Sequence, residues 1–252
     1  MKDKFKLGIV IFACDKVEKY SSQIRTLNNT WVKKAKEFPD IKVLFFLGEE
    51  TTEEFTGEDY VNLKGVGEDY FSATHKQNYG IKYFYDNYDC DFIYCCGTDT
   101  YINIPKLYKY LDNFNPEEKL FVGGNGDYRT IDGVSYYFHS GGPGLFISKV
   151  VVKEFIPLIE DNVTQKWFDK CDNQAELTYL KGGCDVLLSY YLQKFISNLN
   201  VVKAETNVFC WDRFNHEGYD LRKIIACHDM VGEYSYFYTQ LLEKYNYFLD
   251  DN

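Results

Sequence analysis

Asp91-Phe92-Ile93-Tyr94-Cys95-Cys96-Gly97-Thr98-Asp99-Thr100-Tyr101 is the stretch whose reading decides the fold. An apolar run rich in β-formers stops abruptly at Gly-Thr-Asp-Thr, and a strand-to-helix transition follows at Pro105. A short continuous apolar run bounded by turn residues is the pattern of a strand buried on both faces, the mark of an α/β protein. Cys95 and Cys96, adjacent in that strand, should point to opposite faces. In open α/β sheets, ligands gather at the carboxyl ends of the strands. Asp99 is therefore placed where a carboxylate holds a divalent cation or a substrate hydroxyl. The plainer reading is an aspartate that shapes a turn.

Upstream, Leu7 to Phe12 reads as a first strand running into Ala13-Cys14-Asp15. A helix is predicted from about Val17 to Glu37, with Ile24, Leu27, Trp31 and Ala35 on one apolar face. Val43 to Leu47 reads as a second strand, closing a right-handed βαβ unit. Gly48 to Asp59 is acidic and turn-rich, a surface loop. A helix from about Ala73 to Asn87 then carries Lys76 near its start and leads into the central strand.

Downstream, Pro105 opens a short helix to Phe114, at a position where its missing N–H costs nothing. Leu120 to Gly123 reads as another strand. From Gly124 to Gly144 the composition shifts to Gly, Asp, Ser and Tyr, which predicts a long irregular stretch. It ends in Gly141-Gly142-Pro143-Gly144, suggesting a backbone that passes close to something; a tight turn is the simpler account. Ser148 is expected to cap the next helix, which bears Val151, Phe155, Leu158 and Ile159. A polar loop follows, then Gly182-Gly183-Cys184-Asp185 and a helix through Tyr191 and Phe195, with Asp185 at its N-terminus. Val201 to Ala204 is strand-like, Phe209-Cys210-Trp211 is a candidate aromatic wall, and Ile224 to Met230 reads as a late strand ending in His228-Asp229. A final helix carries Tyr234, Phe237, Tyr238, Leu241, Leu242 and Tyr245. With no repeat and no linker, residues 1–252 are expected to form one domain.

Composition narrows the function. A net charge of −10 argues against nucleic acid and against a polybasic membrane surface. The 23 tyrosines and 20 phenylalanines suit a large core and also sugar-stacking clefts. Eight cysteines show no C-x-x-C and no zinc spacing, so buried reduced thiols are expected. Met1 to Lys6 leads straight into the first strand without a leader pattern, and no apolar run approaches membrane-spanning length. As written, the chain reads as soluble and cytoplasmic, unless a secretory anchor precedes it.

Taken in order, Arg25 with Thr30-Trp31, Lys76, Asp99-Thr100-Tyr101, Gly141-Gly142-Pro143-Gly144 with Ser148, Asp185-Val186 and Cys227-His228-Asp229-Met230 form a set. This set resembles the β1,3-glycosyltransferases of the fringe and core-1 galactosyltransferase type, glycosyltransferase family 31, from about Leu7 to Tyr247. The resemblance implies a GT-A fold, a single α/β domain with a mixed central sheet flanked by helices. It implies an inverting transfer from a UDP-sugar, assisted by Mn²⁺ or another divalent cation, onto a glycan or glycoprotein acceptor. Asp99 and His228 then become the metal ligands and Asp185 the general base. Lys76, Thr98, Asp99, Gly141 and Gly142 face the donor, and Trp211 is a sugar-stacking wall. The plainer readings are a core histidine for His228, an N-capping Asp185, a solvated Lys76 and a core-packed Trp211. Arg25, Thr30 and Trp31 are expected only to brace the first helix. The chain departs from the family where Gly97-Thr98 replaces two carboxylates of Asp-Asp-Asp-Thr-Tyr, where Cys184 precedes Asp185, and where Pro143 replaces an alanine. Those departures motivate an alternative, a degenerate GT-A domain that binds nucleotide or glycan without turnover. A nucleotidyltransferase ranks last, because Phe12-Ala13-Cys14-Asp15 is not a Gly-rich phosphate loop.

Overall fold

The computed structural model describes residues 2–49, 51–204, 209–210, 224–229 and 240. The first half of the chain runs β1 (Asp3–Phe12), α1 (Glu18–Asn29), α2 (Trp31–Ala35), β2 (Ile41–Leu47), β3 (Tyr60–Asn62), α3 (Ser72–Asn87), β4 (Tyr88–Gly97), β5 (Tyr101–Ile102) and α4 (Ile104–Tyr110). Then come β6 (Leu120–Gly123), β7 (Gly126–Ile131), β8 (Val134–His139), β9 (Leu145–Ser148), α5 (Lys149–Glu160), α6 (Val163–Asn173) and a 3-10 turn (Ala175–Leu180). The described part closes with α7 (Cys184–Phe195), β10 (Asn200–Lys203), β11 (Phe209–Cys210) and β12 (Ala226–Cys227).

Among the described residues, seven strands form the central sheet in the order β10-β6-β9-β4-β1-β2-β3. β1 pairs in parallel with both β2 and β4, so Phe12, Phe46 and Gly97 lie together at one edge. β9 runs antiparallel to β4, with Leu145 opposite Cys95. It therefore starts where β4 ends, which carries Gly141–Gly144 to that same edge. Alternation along the strands feeds two cores. Leu7, Ile9 and Ile11 of β1 and Phe92, Tyr94 and Cys96 of β4 face α1, α2 and α4. Val10, Ile93 and Cys95 face α3, α5, α6 and α7. Cys95 and Cys96 thus do point to opposite faces, as the pleat requires.

Several expectations are corrected. The helix over 17–37 is broken at Thr30, whose backbone leaves the helical region at φ −121° and ψ −116°. Its hydroxyl donates back to the Thr26 carbonyl at 2.7 Å, a bond that competes with the helical ladder. The predicted apolar face survives the break: Ile24, Leu27, Trp31 and Ala35 are all buried. The stretch 124–144 is largely a hairpin of β7 and β8. Asp132 and Gly133, at φ +55° and +74°, make the two-residue turn between Ile131 and Val134. Two left-handed residues match the twist of paired strands, which is why Asp-Gly favours hairpins. Gly133→Ala should lower stability by about 1–2 kcal/mol, the cost of a Cβ in that region. Chemical denaturation would detect it, and an unchanged midpoint would refute the turn assignment.

The polar loop after α5 is also corrected. α6 and the 3-10 turn fill it, because Val163, Trp167, Phe168 and Cys171 align on one buried face. Ser148 sits at the N-cap of α5 but makes no capping bond. Its hydroxyl instead donates to the Glu118 carbonyl at 2.6 Å and accepts from the Leu120 N–H at 3.1 Å, tying β9 to the start of β6. Trp211 and, of the expected final helix, Tyr234, Phe237, Tyr238, Leu241, Leu242 and Tyr245 lie outside the described residues. Among the described residues, no helix is long and apolar enough to cross a membrane.

Candidate active site

The site is built on the sheet edge where β1, β2 and β4 end. Beyond β4 the chain turns through Thr98–Thr100 and pairs again as β5, with Tyr101 opposite Cys227 and Ile102 opposite Ala226 of β12. The Asn103 N–H donates to the Ile225 carbonyl at 2.7 Å and extends the ladder. This short antiparallel pairing sets His228 beside the turn. Its Nε2 lies 3.4 Å from Oδ2 of Asp99, and both side chains are partly open to solvent.

The Gly141–Gly144 strap threads between these groups. A Cβ on Gly142 would lie 2.5 Å from Cγ of His228, and one on Gly141 would lie 2.9 Å from Cβ of Asp185. Only a residue without a side chain fits either place. The expected close approach is real, and what stands against the glycines is the protein's own His228 and Asp185. Thr100 Oγ1 donates to the Gly142 carbonyl at 2.7 Å, and Tyr94 Oη donates to the Pro143 carbonyl at 2.5 Å. The Trp31 indole N–H donates to the Thr100 carbonyl at 2.9 Å. Trp31 therefore fixes the turn that carries Asp99 as well as bracing α2.

Asp185 occupies the first turn of α7. Its Oδ2 accepts from the Gly141 N–H and its Oδ1 from the Val186 N–H, both at 2.8 Å. Burial pushes its carboxyl up from the ordinary aspartate range, and those N–H groups with the Arg129 charge pull part of the way back. The strap thus holds His228 and Asp185 on either side of one pair of glycines.

Lys76 is neither solvated nor free. It is buried, and its Nζ donates to the Ala13 carbonyl at 2.7 Å and to Glu68 Oε2 at 2.6 Å. The other Glu68 oxygen accepts from the Gly48 N–H, so one ion pair ties together the ends of β1 and β2. Thr98 is buried too, and its hydroxyl donates to Gln23 Oε1 of α1 at 2.6 Å. His75 and His139 are held elsewhere, in aromatic packing on α3 and beneath β6, and burial lowers the pKa of both.

Asp15 was legible only as a position after the first strand. Its carboxylate is buried; Oδ2 accepts from the Thr52 N–H at 2.5 Å, while Oδ1 has no partner among the described residues. Next to it, Lys16, Glu49, Gly65, Val66, Gly67 and Glu68 line a cavity of about 400 Å³. A buried carboxylate oxygen without a donor demands one, and nothing in the sequence distinguishes Asp15 from an ordinary turn aspartate.

The Fringe-like family model matches residues 6–176, more than half of the chain. The chain belongs to the Fringe-like family. Solved structures agree with this at the level of fold. The Fringe-like chain is similar to a glycosyltransferase involved in the glycosylation of the major capsid of PBCV-1, at 13% identity and a TM-score of 0.50, over 94% of this chain and 98% of the other. It is also similar to the galactosyltransferase LgtC in complex with donor and acceptor sugar analogs, at 11% identity and a TM-score of 0.51, over 94% of each chain. An active-site mutant of LgtC gives 12% identity and a TM-score of 0.52. The fold of this Fringe-like chain is accordingly GT-A, a mixed α/β sheet with helices on both faces, and its family is one of glycosyltransferases.

Proposed function

We propose that this chain transfers a sugar from a UDP-sugar to a hydroxyl of a glycan or glycoprotein, through one GT-A domain spanning residues 1–252. The reaction inverts the anomeric carbon, gives a β1,3-type linkage and is assisted by Mn²⁺ or a similar cation. The observation that carries this reading is the approach of Asp99 and His228 to 3.4 Å at the edge where three parallel strands end.

A carboxylate oxygen and an imidazole nitrogen form a donor set suited to such an ion. Bonds of about 2.1 Å around a six-coordinate ion hold neighbouring ligands roughly 3 Å apart, close to the spacing here. Among the described residues no group of three His, Cys, Asp or Glu could hold a metal, so diphosphate oxygens and water would complete the shell. When bound, the cation offsets the negative charge that gathers on the departing diphosphate.

The chain's own groups do the rest. Asp185 takes the proton of the acceptor hydroxyl as that oxygen bonds to the anomeric carbon and the bond to the diphosphate breaks. Its two N–H contacts fix its direction, and its raised pKa makes it a stronger base. Asp15 Oδ1 accepts an N–H from the donor's base. Gly141 and Gly142 let Asp185 and His228 close against the strap beside the donor, while Lys76 and Thr98 hold the donor edge in shape.

The test is UDP release from a panel of UDP-sugars with Mn²⁺. Release from none of them, together with tight UDP binding, would establish the degenerate binding domain instead. That second reading is favoured by Gly97 and Thr98, where carboxylates are missing and the Thr98 hydroxyl faces Gln23. His228→Ala should raise the Mn²⁺ concentration for half-maximal activation by about 10–100-fold, with the circular dichroism unchanged. An unaltered metal titration would remove His228 from the ligand set.

A further inference from the structure

Among the described residues, β7 pairs with β8 alone, and its Asp127, Tyr128 and Thr130 are exposed. Pairs that exchange backbone hydrogen bonds alternate with pairs that do not along an antiparallel ladder. The two-residue turn closes on Ile131 and Val134, so Ile131, Arg129 and Asp127 turn their backbone groups toward β8. Gly126, Tyr128 and Thr130 turn theirs outward. A row of outward N–H and C=O groups is a template for another strand.

Side chains of the hairpin itself occupy that row. Asp127 Oδ1 accepts from the Tyr128 N–H at 2.8 Å. Arg129 Nη1 donates to the Tyr128 carbonyl at 2.8 Å and to Asp127 Oδ2 at 2.6 Å. The Gly126 N–H donates to the Tyr137 hydroxyl at 2.8 Å. The Arg129 guanidinium rests over the Phe138 ring, 4.7 Å from its centroid, and that contact helps to hold it in place. Both outward groups of Tyr128 are thus taken by the side chains on either side of it. We propose that Asp127 and Arg129 form a clasp that shuts the β7 edge, and that the open edge pairs with β7 of a second copy of this chain.

Charge names the occupant. An antiparallel two-fold axis through Tyr128 sets that residue against itself, Asp127 against the second copy's Arg129, and Gly126 against its Thr130. Opposite charges directly across a ladder attract, so the two clasps given up are replaced by two ion pairs between copies. A strand without the Asp-x-Arg pattern leaves the released charges unmatched. Opening costs little, because an exposed ion pair contributes little to stability. The hairpin is also anchored before any pairing: Lys203 Nζ donates to the Tyr128 hydroxyl at 3.3 Å and lies 3.7 Å from the Tyr137 ring centroid, which ties β7 and β8 to β10.

The experiment is sedimentation equilibrium of the full chain carrying Asp127→Arg or Arg129→Asp; it reads association, not turnover, and so is independent of the transferase reading. Either change puts like charges at both positions, which opens the clasp and sets like against like across the axis. Each variant alone should associate no more tightly than wild type. Their equimolar mixture restores Arg against Asp at both pairs and should form a dimer at least about tenfold tighter than wild-type self-association. Thr130→Pro in both chains removes an outward N–H, leaves the β8 ladder intact and should abolish that dimer. A mixture no tighter than its components, or a complex indifferent to Thr130→Pro, would overturn the proposal. Hydrogen exchange tests the clasp in the unaltered chain. Relative to intrinsic rates, the Tyr128 amide should exchange about tenfold or more slowly than the Thr130 amide, and equal rates would show that no clasp holds the edge.

Discussion

Asp185→Asn is expected to lower the turnover number by about 10²–10⁴-fold, the usual contribution of a positioned general base. The substitution keeps the shape of the side chain and one oxygen to accept from Gly141 or Val186, so the strap and the start of α7 should persist. What disappears is the ability to hold a proton. The donor edge lies across the glycine strap, so affinity for UDP should stay at the wild-type value. The pH profile supplies a second, independent reading. Desolvation raises the Asp185 carboxyl above the ordinary aspartate range, so the acid limb of kcat/KM in the wild type should fall at higher pH than a solvated aspartate would give. Activity rises with pH through that limb because the charged form is the base. The same raised pKa means that the group favours the folded state most at low pH, below its unfolded value, and loses that contribution as pH climbs through the folded one. Equal activity of Asp185→Asn and wild type would remove the base assignment outright.

Lys76→Met should cost about 3–5 kcal/mol of stability, because it strands Glu68 as a buried charge without its partner. The Lys76 and Glu68 side chains are only 3% and 12% exposed. The Ala13 carbonyl also loses its 2.7 Å donor, and the ends of β1 and β2 lose their common tie. The double change Lys76→Met with Glu68→Leu should recover most of that loss, since an apolar pair of similar volume replaces two desolvated ions. A lysine that served the diphosphate would behave otherwise: the single change would leave the melting temperature alone and weaken UDP binding. Thermal unfolding of the three proteins separates the two accounts.

How much of this was legible beforehand depends on the range of the interaction involved. β4 announced itself because its burial on both faces is written in consecutive side chains, and α3 because its face repeats locally. The hairpin was also readable: Ile131-Asp132-Gly133-Val134 is an Asp-Gly turn between β-formers, and the signal lost to the high Gly and Ser content around it. α6 was obscured because Lys, Gln and Asp outnumber the apolar residues that bury its face. The candidate site was legible in parts but not as an arrangement. Asp99 and Gly141–Gly144 stood out by composition. Their meeting with His228 depends on a ladder of two residue pairs between distant segments, which no local window contains. Lys76 shows the limit most clearly. Its burial follows from Ala13 and Glu68, two residues whose own sequence context gives no hint of a lysine between them.

Cys95 and Cys96 are sealed on opposite faces of the central strand, and desolvation holds both thiols far from ionisation. Since only the thiolate attacks an alkylating reagent, neither sulfur can be labelled until β4 separates from β1 and β9. The molecule therefore contains its own unfolding clock: the rate at which a maleimide modifies this pair under native conditions reports how often the middle of the sheet opens.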